Sequence, residues 1–270
     1  MAGCFLVVSM AAGRRDLSPP AGRSLFRAHV PARRHLLFRR HRPAQTGLRD
    51  QPPDTAAACP IIGRTVAEGG VIHAFGSGHS EIIAREIVGR AGSLVCVSGI
   101  YDTTGGFIEN LAGYGTQLAE RYDRLYGLRP GETLMVISNS GKNAAPIEVA
   151  LYAKQKGLTV VGLTSVAMSR TARTVHPGGK NLHAIADYVL DNCGVPGDAI
   201  VDVATEIRAG PTSTLAGTML LNLLLLEVVG GLKANRHPLP ILRSQNLPGA
   251  IEYNRELAEK YAGRLSCPLA

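Results

Sequence analysis

The segment from Val71 to Ala91 constrains the fold more than any other part of the chain. An apolar run, VIHAF, stops at Gly76, and the loop GSGHS leads directly into an amphipathic segment that places Ile83 and Ile87 four residues apart. This order predicts a strand, a tight loop and a helix. Glycine lets such a loop turn sharply, and the free N–H groups at the beginning of the helix suit an anion, above all phosphate.

The same order of strand and helix repeats along residues 70–232. Further apolar runs predict strands at 94–98, 133–137, 158–163 and 188–190. Helices are predicted at 55–68, where Pro60 should confine the helix or set its first turn, near 117–126, at 143–156, after the capping sequence PTST at 211–214, and near 252–261. Buried strands that alternate with helices form a parallel sheet with both faces covered. We therefore expect an α/β fold.

Polar loops follow two of these strands, where parallel sheets bind ligands. Ser77 and Ser80 follow the first strand, and Ser138 and Ser140 follow the third. Hydroxyls beside helix N-termini can surround one phosphate without a metal or a lysine. The alternative is that Ser80 and Ser140 are helix caps and the others turn residues. Nucleotide-binding motifs fit poorly, because GSGHSE lacks the third glycine of a dinucleotide loop and the sequence contains no GxxxxGK[ST].

The charge of the chain argues against a nucleic-acid partner. The formal net charge is +8, but residues 1–50 contain ten Arg, no Lys and two Asp, which leaves 19 basic and 19 acidic residues at positions 51–270. A nucleic-acid surface would place its basic residues on a folded face. We interpret residues 1–50 as an Arg-rich, disordered extension: a tail, a transit segment, or the product of a start upstream of the true one.

The cysteine and hydropathy patterns bear on the cellular compartment of the protein. The five cysteines are widely spaced and contain no CxxC pair, which favours reduced thiols in a cytoplasmic protein over a disulfide framework or a zinc site. We expect no metal and no other cofactor. The apolar run at 215–232 is about as long as the shortest membrane spans, but Asn222 and Glu227 favour a helix buried in a core or a subunit interface.

Four loop sequences together resemble a known family. GSGHS, SNSGKN, DNCGVPGDA and GPTST look like a sugar isomerase (SIS) domain, and specifically an uncharacterised bacterial subfamily of phosphosugar-binding SIS proteins. The resemblance covers residues 55–262. It implies a single domain over residues 51–270, with a C-terminal tail from about 238, built as a doubly wound, three-layer sandwich around a five-stranded parallel sheet. It also implies phosphosugar binding and assembly as homodimers or higher homo-oligomers.

The resemblance also suggests site residues. The groups it assigns to the phosphate and sugar are Ser77, Ser80, Ser138, Asn139, Ser140, Asn143, Ser213 and Thr214. Glu86 matches a position where similar isomerases place an acid/base glutamate, and His79 would assist it in an aldose–ketose isomerisation or a related elimination or deamination. The alternative for Glu86 is a solvated charge or an ion pair with Arg90. The late segment PTSTLAGTMLLN contains no His, which leaves a non-catalytic, phosphosugar-sensing module as the second hypothesis.

Overall fold

The computed structural model describes residues 53–267, which belong to one compact unit. The predicted extension at 1–50 lies outside the described residues. A 3-10 turn, Leu182–Ala184, precedes the fifth strand. In chain order the other elements are α1 (Pro53–Ala67), β1 (Ile72–Gly76), α2 (His79–Glu86), β2 (Val97–Ile100), α3 (Tyr114–Tyr126), β3 (Thr133–Ile137), α4 (Ala144–Gln155), β4 (Thr159–Thr164), α5 (Val166–Thr171), β5 (Tyr188–Asp191), β6 (Ala199–Ala204), β7 (Ile207–Pro211), α6 (Ser213–Ala234) and α7 (Ala250–Glu259).

Five of the strands form one parallel sheet in the order β2-β1-β3-β4-β5. The chain leaves β1 for β2 on one side and then continues to β3 on the other side of β1. This reversal is a topological switch point, where doubly wound sheets bind their ligands. Gly76 pairs with Ile137 in the register of β1 and β3, so the loops that follow these strands begin side by side. The predicted five-stranded parallel sheet is confirmed.

Two apolar cores enclose the sheet, because successive strand residues face opposite sides. On one side Ile72, Ala74 and Met135 pack with α1, α2 and α6. On the other side Phe75 and Leu134 pack with α3 and α4. Strands β1 and β3 are buried along their whole length, which explains their continuously apolar sequences. The predicted three-layer sandwich is confirmed.

Two predictions about single elements were wrong, and one pair of strands was not predicted. The second strand begins at Val97, not at Leu94, because Leu94 pairs antiparallel with Ile241 and the adjacent N–H of Val95 donates to Pro240. Helix α1 continues through Pro60, which neither confines the helix nor sets its first turn. The antiparallel hairpin β6–β7 was not predicted at all. Its side chains are largely exposed, so it lacks the buried face that makes a strand recognisable in a sequence.

A buried polar network lies at the amino ends of β1 and β3, opposite the switch point. The Glu132 carboxylate accepts hydrogen bonds from Nε2 of His73 at 3.0 Å and from the Arg264 guanidinium at 2.8 and 2.9 Å. Burial opposes the ionisation of Glu132, but the bonds from His73, the Arg129 N–H and Arg264 lower its pKa to about 2. Burial also lowers the pKa of His73, against the opposing effect of Glu132. Arg264 thereby ties the C-terminal segment to the sheet.

Helix α6 is long and apolar enough to cross a membrane by length and composition alone, a test that a core helix also passes. Nine of its residues are buried, among them Leu220, Leu221 and Leu224, and these form part of the core beside α1 and α2. Leu215 and Leu226 are 67% and 66% exposed. One side of α6 therefore packs on the sheet, and the other presents apolar side chains.

Candidate functional site

The first loop at the switch point joins β1 to α2. A Cβ at position 76 would lie 2.4 Å from the carbonyl oxygen of Ser80, so only glycine permits this close turn. Ser77 is buried, Ser80 is half-buried in the first turn of α2, and His79 is exposed. The turn holds both serines at the carboxyl end of β1, as the sequence predicts.

The second loop joins β3 to α4. Ser138 is buried, whereas Ser140 and Asn143 are half-buried. Asn143 directly precedes α4, and Gly78 directly precedes α2, yet neither helix has a side-chain cap. Ser80 and Ser140 are therefore not helix caps. Within the described part of the chain, the hydroxyls of Ser80, Ser138 and Ser140 have no hydrogen-bond partner. We call the surface formed by Ser77, Ser80, Ser138, Ser140 and Asn143 the cradle.

Glu109 connects the two loops of the cradle. It lies in the connection between β2 and α3, and we call residues 103–112 of that connection the cover loop. The Ser77 hydroxyl donates to one oxygen of the Glu109 carboxylate, and the Asn143 amide donates to the other oxygen over 2.6 Å. Two side chains that the sequence assigns to ligand binding thus converge on one carboxylate. Glu109 was not predicted as a site residue. In the sequence it is only one acidic residue in a polar stretch that contains several glycines.

The cover loop also occupies the beginning of α4. The Ala145 N–H donates to the carbonyl oxygen of Glu109 over 2.8 Å, and the Ala144 N–H donates to Oδ1 of Asn110 over 3.3 Å. The first N–H groups of a helix have no partner inside it and attract anions. Residues 109 and 110 therefore supply acceptor oxygens where an anionic ligand would supply them.

Buried carboxylates fix both ends of the cover loop. Asp102 accepts hydrogen bonds from the Thr104 hydroxyl at 2.6 Å and from the Tyr114 hydroxyl at 2.5 Å. Burial opposes the ionisation of Asp102, but the bonds from Thr104 and Tyr114 outweigh it and lower the pKa of Asp102. At the other end, Glu148 of α4 accepts the Gly113 N–H at 2.7 Å. The loop is thus anchored independently of its contact with the cradle.

A cavity of about 660 Å³ lies beside the cover loop, between the end of β2 and α3. Tyr101, Thr104, Tyr114, Gln117 and Arg121 are among its lining residues. Thr104 and Tyr114 also hold Asp102, so the cavity opens next to the anchored end of the cover loop. None of the residues predicted to bind the ligand lines it, and we locate the candidate site at the cradle because the hydrogen-bond donors converge there.

Asn139, predicted as a ligand contact, bonds to neighbouring loops. Its Oδ1 accepts a hydrogen bond from Asn192 at 2.8 Å, and its Nδ2 lies 3.5 Å from Sδ of Met168. Asn192 is fully buried and accepts the Gly194 N–H at 2.9 Å. These bonds join the loop after β3 to the loop after β5. These bonds give Asn139 a structural role. Its role in ligand binding stays a prediction.

Ser213 and Thr214 stand at the beginning of α6. Ser213 donates its hydroxyl hydrogen to Asp198 over 2.6 Å, and its N–H donates to the same carboxylate over 2.8 Å. Asp198 therefore caps α6, a task that the sequence assigned to the PTST segment itself. Ser213 is buried and Thr214 half-buried. Their contact with a ligand is still a prediction.

Glu86 and His79, the predicted catalytic pair, lie on α2. Glu86 is the last residue of the helix and forms an ion pair with Arg90. This is the contact that the alternative interpretation of Glu86 predicts. His79 is exposed at the other end of α2. The catalytic assignment of both residues stays a prediction.

Residues 53–267 contain no group of three or more His, Cys, Asp or Glu side chains that could hold a metal ion. Cys59 and Cys96 are free thiols, and burial raises the pKa of the Cys96 thiol to about 12. Such a thiol is protonated and unreactive at neutral pH.

Comparison with known proteins identifies the family. The SIS domain matches residues 45–165. A UPF0309 protein of Caldanaerobacter subterraneus is 38% identical over 222 residues, which cover 77% of this chain and 88% of that protein. A UPF0309 protein of Listeria monocytogenes is 35% identical over 209 residues, with the same coverage of 77% and 88%.

Likeness to solved structures is weaker. Phosphoheptose isomerase GmhA from Neisseria gonorrhoeae aligns with 65% of this chain and 84% of its own, at 20% identity and a TM-score of 0.44. A likeness at this level carries no argument about the present chain. The sequence matches suffice: at 38% identity over most of both chains, the protein belongs to the UPF0309 family and contains a SIS domain.

Proposed function

We propose that this protein binds a phosphorylated sugar or amino sugar in the cradle. One observation carries the proposal: donors from both switch-point loops and the first N–H groups of α4 converge on carboxylate, side-chain amide and backbone oxygens of the cover loop. Hydrogen-bond donors that surround oxygen acceptors in this way suit a phosphate group. The open hydroxyls of Ser80, Ser138 and Ser140 add donors and acceptors that match sugar hydroxyls.

The proposed ligand also suggests where the protein works. A phosphorylated sugar is an anion, and moving an ion through an apolar bilayer core is costly. The ligand would therefore remain in the compartment in which it is made. We propose that this compartment is the cytoplasm and that the protein works there. Neither a metal nor another cofactor is required for binding by hydroxyl and amide donors.

Calorimetry tests the binding proposal. The panel contains glucose, glucosamine and N-acetylglucosamine, each with and without a 6-phosphate. We expect at least one phosphorylated sugar to bind and its parent sugar to bind far more weakly. Ser140→Ala should weaken binding roughly 2- to 10-fold, because a hydrogen bond between neutral groups contributes about 0.5–1.5 kcal/mol. Ser244→Ala, a half-buried serine in the C-terminal tail, is the control.

For the reaction we propose aldose–ketose isomerisation, or a related elimination or deamination. Glu86 would move a proton between adjacent carbons, and His79 would assist at the ring oxygen. Glu86→Gln should then keep ligand affinity and lose turnover, while Glu256→Gln, an exposed glutamate of α7, should change neither. Full turnover in Glu86→Gln would remove Glu86 from the mechanism.

The second candidate function is a phosphosugar sensor without chemistry. The ion pair between Glu86 and Arg90 favours it, because it gives this carboxylate a contact that requires no catalytic role. Substrate consumption distinguishes the two functions: a sensor binds the sugar phosphate and returns it unchanged after prolonged incubation, as followed by NMR of the sugar.

We further propose that two copies associate through α6. The exposed Leu215 and Leu226 lie on the side of the helix that faces away from its own core, and a second copy would cover them. Sedimentation analysis should show a dimer that Leu226→Glu converts to a monomer. Leu125→Glu provides the control, since Leu125 is 59% exposed but lies on α3, which packs on the opposite face of the sheet. A dimer that survives Leu226→Glu contradicts this interface.

A further inference from the structure

We propose that the cover loop is an internal competitor of the ligand: the Glu109 carboxylate fills the cradle when it is empty, and the ligand's phosphate must displace it. This inference rests on the proposed function, because it concerns occupancy of the same cradle. Its starting point is that the Ser77 hydroxyl and the Asn143 amide both donate to Glu109, and to no other residue of the described chain.

The hydrogen bonds that the cover loop accepts are those that a bound anion would accept. Two carboxylate oxygens meet one donor from each switch-point loop, while the Glu109 carbonyl and the Asn110 side chain meet the first N–H groups of α4. The loop therefore satisfies both kinds of donor that phosphate sites use, hydroxyl or amide side chains and helix N-termini. A phosphate cannot bind these donors while the loop does.

Charge makes the exclusion stronger. An ionised carboxylate and a phosphate repel each other, and at contact distance the repulsion is too large for both to share one set of donors. The carboxylate must therefore leave the cradle before a phosphate enters it. Removal of the carboxylate frees the donors of Ser77 and Asn143 and also removes the repulsion.

The structure of the loop suits displacement. Gly106 has φ +87°, and a Cβ there would lie 2.9 Å from the backbone nitrogen of Gly78, so the loop rests closely on the first switch-point loop. Its apolar side chains hold it only weakly, since Phe107 is 95% exposed, Leu111 is 60% exposed and Ile108 is 38% exposed. Polar contacts to the cradle and to α4 thus retain residues 107–111, and those are the contacts that a phosphate replaces.

Phosphate affinity tests the inference. Inorganic phosphate and the tightest sugar phosphate of the panel are titrated into the wild type, Glu109→Ala and Glu109→Gln by calorimetry. Both variants should bind at least about tenfold more tightly than the wild type, the change that corresponds to one charge-assisted hydrogen bond regained. The glutamine variant keeps the shape of the side chain and one acceptor oxygen but loses the charge and the second acceptor, and so guards against misfolding of the alanine variant. Glu256→Ala, which removes the same charge from an exposed site, should leave affinity unchanged.

The possible outcomes separate the two proposals. Equal or weaker binding by both Glu109 variants, with binding by the wild type intact, overturns the competition and leaves the proposed function standing. Such a result would mean that Glu109 contacts the ligand or is indifferent to it. Absence of binding by every protein, including the variants, overturns the proposed function and the competition with it. Equal tightening in Glu256→Ala would show a long-range charge effect and also contradict competition at the cradle.

Discussion

Replacement of Arg264 by alanine should destabilise the protein strongly without affecting the cradle. The Arg264 side chain is 12% exposed, and its guanidinium bonds to the Glu132 carboxylate and to the carbonyl oxygens of Tyr126 and Gly127. Glu132, 5% exposed, would remain buried without its cation. Breaking a buried pair from one side costs about 3–5 kcal/mol.

Thermal and urea denaturation measure this cost. For a chain of this size, about 3–5 kcal/mol corresponds to a decrease in Tm of roughly 6–20 °C. The double variant Arg264→Ala/Glu132→Gln should recover part of the loss, because the unpaired charge is gone. Sugar phosphate affinity below the transition should be unchanged, since the network lies at the opposite end of the strands. A loss of free energy of unfolding below about 0.5 kcal/mol, the range of ordinary surface substitutions, would refute the reasoning.

Further predictions concern acidity, the first loop and the core. The lowered pKa of His73 means that its contribution to stability is present above its unfolded value of 6.5 and declines as the pH falls below it. The contribution of Glu132 declines in a second step between 4.5 and about 2, so urea midpoints should fall in two stages on acidification. His73→Gln should diminish the first stage and leave the part that comes from His183, whose pKa burial also lowers. Gly76→Ala should destabilise the fold by roughly 3 kcal/mol because its Cβ would overlap the Ser80 backbone. Gly63→Ala is its control, since a Cβ there meets nothing within 4 Å, and should stabilise α1 by about 0.5–1 kcal/mol in the same denaturation assay.

The sheet could be predicted because its strands leave an unambiguous pattern. The boundaries of β3 were predicted to the residue, since the run TLMVI is too short for a helix and polar Glu132 and Ser138 bound it. Leu94 and Val95 are equally apolar, yet they bond to the C-terminal segment at Pro240 and Ile241. Such long-range pairing has no local signature, and it moved the observed start of β2.

The cradle could be predicted in part. The serines stand at the ends of β1 and β3, so their position follows from the strand pattern and from the rule that parallel strands share a carboxyl edge. Glu109 could not be found in this way. It lies in the loop between β2 and α3, 32 residues after Ser77 in the sequence, and only the folded chain brings the two side chains into contact. Nor does the sequence reveal that Asn139 binds Asn192, a contact across 53 residues.

Resonance mapping of ligand contacts tests the central claim, that the phosphate group binds the cradle, most directly. A titration of ¹⁵N-labelled protein with the tightest sugar phosphate should shift the amide signals of Ser77, Ser138, Ala144 and Ala145, and an equal concentration of the parent sugar should not. Shifts confined to the cavity around Tyr101 and Gln117, or identical shifts with and without the phosphate, would contradict the claim.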